Sequence, residues 1–157
     1  MVFIKELTFS AAHYIPGHSQ CGCVHGHTYF VRNLSITMEN GMIHRIDPSG
    51  ITIDFGHIKE YFKKEWDHKF IVPLDDIEFW QKVVSMKGCP VKDNLRAIDF
   101  TTVEWMVAEI QKDLLSLAMN ELGLADDFSD GVPEVHFELS EGPNQGEQTC
   151  TRYGRRQ

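Results

Sequence analysis

No stretch of this sequence approaches the roughly 20 consecutive apolar residues that a membrane-spanning helix needs. Nor does the start resemble a secretory leader: Met1-Val-Phe-Ile-Lys-Glu-Leu-Thr-Phe9 carries an acid and reads as strand. Both absences lead us to expect a cytoplasmic protein without membrane contact. Positive charge is scarce. Against 23 Asp and Glu stand 15 Lys and Arg, a formal net charge of −8, and nucleic-acid binding rests on clustered cations. The one basic run, Arg152-Tyr-Gly-Arg155-Arg156, reads as a solvated terminus, although a few local donors suffice for a small phosphorylated ligand. Cysteine occurs at positions 21, 23, 89 and 150. Cys21 and Cys23 are poorly placed to bridge each other, so no disulfide framework is expected. Internal repeats and low-complexity segments are absent.

What remains is a globular composition, 42% apolar and 11% aromatic, and the economical reading is one α+β domain over residues 1–157. Residues 2–13 alternate loosely, with Phe3, Leu7, Phe9 and Ala11 against Lys5, Thr8 and Ser10, and predict a first strand. Pro16, Gly17 and Gly22 mark a loop over 14–24, and aromatic and β-branched residues predict a long strand from His25 to Thr37. Turn signals follow at Glu39-Asn40-Gly41 and Asp47-Pro-Ser-Gly50. Asp54 is placed to cap a helix over about 55–66, striped by Ile58, Tyr61, Phe62 and Trp66. Pro73, Gly88 and Pro90 break the pattern over 70–99, which is expected to be an irregular excursion with one helical turn near Ile77–Val84. The helix over 101–122 is the clearest, ended by Gly123. Val135, Phe137 and Leu139 alternate as a strand, and a last strand is expected near 147–153. The predicted order is ββααββ.

The informative segment is Cys21-Gly-Cys-Val-His25-Gly-His27, with His13 twelve residues before His25. Histidines at i and i+2 share one face of a strand. Antiparallel pairing of 2–13 with 25–37 would bring His13 opposite them. Three imidazoles suit zinc and leave a tetrahedral position open for water or substrate, with the Cys21 thiol close by. An alternative is a closed structural centre of Cys21, Cys23, His25 and His27, although Cys-x-Cys is tighter than such sites use. His18, in the loop, is expected to face solvent.

Asp67-His68 has the arrangement that fixes an imidazole for base work, or is simply a helix C-terminal pair. Glu141 continues the apolar face of Val135-x-Phe137-x-Leu139, where a carboxylate is costly unless something pairs with it. It suits a guanidine-like ligand edge, with Glu138 on the wetter face ranking second. Thr101-x-x-Glu104 reads as a capping box, which leaves Thr102 and Glu104 free for ligand contact.

Taken together, Phe9-Ser-Ala-Ala-His13, Cys21-x-x-x-His25-Gly-His27, Ile53-Asp54-Phe55, Asp67-His68, Thr101-Thr102-Val103-Glu104 and Glu141 after a strand resemble the 6-pyruvoyl-tetrahydropterin synthase family, including its 6-carboxy-tetrahydropterin synthase branch. The resemblance implies a tunnelling fold (T-fold): an antiparallel sheet with two helices on one face, its strands joining across subunits into a barrel. It further implies a homo-oligomer, a hexamer built as a dimer of trimers, with active sites between subunits. His13, His25 and His27 would be the zinc ligands. Cys21, Asp67 and His68 would be catalytic, and Glu141, Thr102 and Glu104 would bind the pterin. The substrate implied is 7,8-dihydroneopterin triphosphate. The carboxy branch, on the queuosine (7-deazaguanine) route, releases acetaldehyde and triphosphate. The alternatives are 6-pyruvoyl-tetrahydropterin synthase, which eliminates triphosphate alone in a tetrahydrobiopterin-type pathway, and a non-catalytic zinc- or pterin-binding module.

Overall fold

A computed structural model describes residues 2–38, 53–86, 94–123, 133–143 and 147–149. Strands β1 (Val2–His13) and β2 (His25–Met38) form a long antiparallel ladder with His13 paired to His25. Helix α1 (Phe55–Glu65) follows, then β3 (Lys69–Pro73), a 3₁₀ turn at Leu74–Asp76 and helix α2 (Ile77–Met86). After β4 (Leu95–Ile98) come α3 (Val103–Leu122), β5 (Pro133–Glu141) and β6 (Glu147–Thr149). The six strands form one sheet in the order β4-β3-β1-β2-β5-β6. The turn signals at 39–41 and 47–50, and residues 150–153 of the expected last strand, lie outside the described residues.

The expected elements recur with close boundaries. Asp54 caps α1, its carboxylate accepting the Gly56 N–H at 2.7 Å. Gly123 ends α3 in the left-handed conformation, φ 59°, which costs a residue without Cβ little. Apolar side chains of α1 and α3 (Ile58, Phe62, Met106, Ile110, Leu114) and of β1, β2 and β5 (Phe9, Val31, Leu139) make one cluster. The two helices therefore cover the same face of the sheet.

Three expectations need correction. The order is not ββααββ, because residues 70–99 are not mainly irregular. Lys69-Phe-Ile-Val-Pro73 is short, β-branched and buried at Ile71 and Val72, so it forms a strand with Pro73 closing it. The helical turn near Ile77–Val84 extends to a full helix, and Leu95–Ile98 adds another strand. The sheet is consequently mixed rather than antiparallel, since β3 runs parallel to both β1 and β4. Side chains dock this segment. The Trp80 indole N–H donates to the Tyr14 hydroxyl at 3.0 Å, and that hydroxyl donates to Asp76. Arg96 of β4 lies over the Trp66 ring and reaches Asp113 of α3 at 2.7 Å and Glu65 at 3.2 Å.

The third correction concerns Phe3. It is 49% exposed, whereas Val2 is buried. The β2–β5 register slips between Arg32 and Ser35, where Asn33 takes φ 52°. One extra residue switches the inward positions of β2 from Tyr29 and Val31 to Leu34 and Ile36. β1 follows its partner, so its inward set changes from odd to even residues toward the N-terminus.

Candidate metal centre and active site

His13 ends β1, and His25 and His27 begin β2, so strand pairing alone assembles the three rings. One ring nitrogen from each lies within 4.8 Å of the others. The tautomers are prepared. His13 Nδ1 lies 2.7 Å from the Thr101 carbonyl and His25 Nδ1 lies 2.7 Å from the Cys23 carbonyl. A carbonyl can only accept, so each Nδ1 carries the proton and each Nε2 presents its lone pair. Burial lowers the pKa of His13 against the opposing pull of the Thr101 carbonyl and Glu141, which favours the neutral ligand form.

The Nε2 atoms of His13 and His27 are buried without a hydrogen-bond partner. Two unpartnered ring nitrogens in one polar cluster are costly unless something binds there, and a cation fits the His13 lone pair and the neutral His27 ring beside it. Among the described residues the potential metal-holding group is His13, His25 and His27, with neither cysteine in it. That donor set fits an imidazole-bound metal with an open position, rather than a closed Cys2His2 centre.

Glu141 stands opposite Tyr29 in the β2–β5 ladder. Its carboxylate lies 3.6 Å from His13 Nε2 and 3.8 Å from His27 Nε2, and accepts a long hydrogen bond from the buried Tyr29 hydroxyl at 3.4 Å. Burial and then the Glu141 charge push the Tyr29 hydroxyl pKa up, so it stays a donor. The carboxylate that the strand pattern aimed at the buried face thus borders the three imidazoles. Cys21 is half-buried in the β1–β2 loop. Cys23 is exposed.

Asp67 and His68 lie elsewhere in the chain's own fold. They follow α1 and bracket Ser10 of β1: its N–H donates to Asp67 Oδ1 at 2.9 Å, and its carbonyl accepts from His68 N at 2.6 Å. His68 Nδ1 lies 2.9 Å from Asp67 Oδ2, so the dyad is formed. The His68 ring is 84% exposed, on a left-handed backbone with φ 58°. Ser10 precedes His13 by three residues, about 10 Å along a strand. Among the described residues, no hydrogen bond or ion pair joins the dyad to the three histidines.

Residues 3–127 match the family model described as 6-pyruvoyl tetrahydropterin synthase. The chain belongs to this family. A Rickettsia felis relative named 6-carboxy-5,6,7,8-tetrahydropterin synthase is 35% identical over 89 residues, covering 54% of this chain and 60% of that protein. A Methanocaldococcus jannaschii protein carrying the same name provisionally is 39% identical over 154 residues, covering 89% of this chain and 87% of its own. The chain thus spans about three fifths of the Rickettsia relative and most of the archaeal one. Among solved structures, 6-pyruvoyl tetrahydropterin synthase from Plasmodium falciparum superposes with a TM-score of 0.53 at 19% identity, covering 95% of this chain and 96% of its own. The Plasmodium vivax enzyme gives 0.51 at 21% identity, covering 96% and 98%. At those identities the likeness shows the fold, the α+β T-fold.

Within this pterin-synthase fold, the start of α3 differs from the expected capping box. Thr102 is the N-cap and makes no side-chain cap bond. The Thr101 hydroxyl donates instead to the Tyr14 carbonyl, while the Thr101 carbonyl orients His13. The helix start is thereby fastened to the end of β1, which claims the hydroxyl a capping box would need. Thr102 therefore directly follows the residue that holds the His13 ring, and Glu104 lies exposed in the first turn of α3. Sequence reasoning missed Thr101 and Tyr29 as supports. Tyr29 had a signal, since it continues the i, i+2 series of His25 and His27. Thr101 had none, because its contact is made by a backbone carbonyl.

Proposed function

We propose that this protein is a zinc-dependent lyase that converts 7,8-dihydroneopterin triphosphate and one water to 6-carboxy-5,6,7,8-tetrahydropterin, releasing acetaldehyde and triphosphate. The observation that carries this reading is the three-imidazole cluster with two orphaned Nε2 atoms, bordered by the Glu141 carboxylate. The curated relatives' names support the carboxy branch.

His13, His25 and His27 would hold the zinc. Zinc supplies polarisation of the substrate's side-chain oxygens, which acidifies the adjacent C–H bonds. Glu141 accepts two hydrogen bonds from the 2-amino and ring N–H edge of the pterin, fixing the ring beside the metal. Cys21 and His68 move protons on and off the side-chain carbons, and Asp67 holds the His68 ring with Nε2 free for that exchange. Thr102 and Glu104 line the pterin pocket. The exposure of His68 fits a dyad that serves the site of a neighbouring subunit, in a homo-oligomer of the hexameric, dimer-of-trimers kind. We place the whole chain in a single T-fold unit and the activity in the cytoplasm, on the queuosine route.

The test is turnover of zinc-loaded protein with 7,8-dihydroneopterin triphosphate, identifying every product. Triphosphate with acetaldehyde is expected. Triphosphate with a pyruvoyl pterin would move the chain to the 6-pyruvoyl branch, which the family model's own description favours. Pterin binding without triphosphate release would leave a binding module.

A further inference from the structure

The loop that carries Cys21 is cinched around one side chain. Ile15 N–H donates to the Cys21 carbonyl at 2.7 Å, and His18 N–H donates to the Ile15 carbonyl at 3.1 Å. The Cys21 N–H donates to His18 Nδ1 at 3.0 Å. Gly22 passes so close that a Cβ there would lie 2.5 Å from the His18 carbonyl oxygen. Both backbone groups of Cys21 are thus held, the carbonyl by main chain and the amide by an imidazole. The Ile15 contacts are backbone and any residue but proline can make them. Gly22 contributes only the absence of a side chain. His18 is the one group in this set whose side-chain chemistry matters.

We infer that His18 is a positioning residue that clamps the Cys21 backbone and so sets the direction of its thiol relative to the metal-ligand face. The clamp rests on Cys21 being the reactive thiol, as proposed above. Its logic is that of an Asx turn, in which a side-chain acceptor satisfies a backbone N–H a few residues on. Nδ1 must be unprotonated to accept, so the ring carries its proton on Nε2, toward solvent. Cys23, two residues on and exposed, lies beyond the clamped segment and supplies an internal reference thiol. A clamp of this kind makes a specific demand on chemistry. Asn places its Oδ1 where His places Nδ1, and so can accept from the Cys21 N–H. The Gln oxygen lies one bond further out, and Ala has no acceptor.

The experiment compares metal-loaded wild type with His18→Ala, His18→Gln and His18→Asn. It reads iodoacetamide alkylation of Cys21 against Cys23 by fragment-ion mass spectrometry, zinc content, and kcat and KM on 7,8-dihydroneopterin triphosphate. For Ala and Gln we expect zinc unchanged, the Cys21:Cys23 alkylation ratio altered about threefold or more, and kcat lowered about tenfold with KM little moved. Asn should return ratio and kcat to within about twofold of wild type. An unchanged ratio in His18→Ala with the fold intact overturns the clamp, and so does an Asn variant as impaired as Ala. If wild type shows no turnover, the proposed function falls while the alkylation ratio still decides the clamp.

Discussion

The three-histidine cluster and the Asp67–His68 dyad are built in opposite ways. His13, His25 and His27 stand on paired strands, and two have their Nδ1 tied to a main-chain carbonyl. Asp67 and His68 sit at a helix-to-strand junction, the histidine on a left-handed backbone with its ring in solvent. The first group is complete within one chain except for what its lone pairs point at. The second is complete as a hydrogen-bonded pair, and among the described residues no hydrogen bond or ion pair links it to the histidine cluster. The histidine cluster thus comes from paired strands, and the dyad is presented outward where α1 hands over to β3.

That contrast can be broken most sharply at the strand end. His25→Ala should lower zinc from about one per chain to below roughly 0.1 and turnover by more than about 10³-fold, since two ligands cannot retain the ion against dialysis. Metal analysis beside the assay checks it, and near-normal zinc would show that the cluster is not the metal centre. Cys21→Ala should separate chemistry from binding, keeping the zinc while kcat falls about 10²- to 10⁴-fold. Loss of zinc there would make the thiol a ligand. A third experiment sharpens the outward-facing half of the comparison. Cys21→Ala and His68→Ala, each inactive alone, are unfolded and refolded together. If sites are shared between subunits, the mixture should recover roughly a tenth or more of wild-type turnover, because some interfaces pair the intact halves. No recovery would place His68 in the service of its own chain.

The smallest expected effect concerns acid stability. Burial pushes the Asp67 carboxyl pKa up, but the Ser10 N–H and His68 outweigh it and hold it below the usual aspartate value. A carboxyl with a lowered folded pKa contributes stability that is fully present above its unfolded pKa of about 3.9. The contribution is lost as pH falls through the folded value. Asp67→Asn should therefore lower the melting temperature modestly at neutrality, where the contribution is present, and flatten its fall below about pH 4, so that variant and wild type converge in acid. An unchanged acid limb would mean that Ser10 and His68 hold the carboxylate too loosely to matter.

Much of this arrangement was legible in the residues. Period-two spacing put His25 and His27 on one face and Glu141 on the buried side of β5, and the ladder then set His13 against His25. Such contacts follow from local pattern and pairing. What escaped depended on distant or backbone partners. The strands β3 and β4 have only five and four residues and are fixed by packing and by Arg96 rather than by any period of their own. Thr101 looked like a cap because its hydroxyl's true partner, the Tyr14 carbonyl, lies 87 residues away in sequence. Phe3 was misplaced because a left-handed Asn33 on the neighbouring strand changes the count.

That Asn33 irregularity makes β2 two messages written in different phase. Its first half spends its inward positions on His25, His27 and Tyr29, and its second half on Leu34 and Ile36. Were the strand regular, one parity would govern both, and the facing of the clustered histidines would dictate which distal residues meet the helices. The extra residue frees each half to change on its own terms. Deleting Asn33 would restore a single phase and force a choice between the ligands and the packing, so this surface asparagine guards a boundary between chemistry and scaffold.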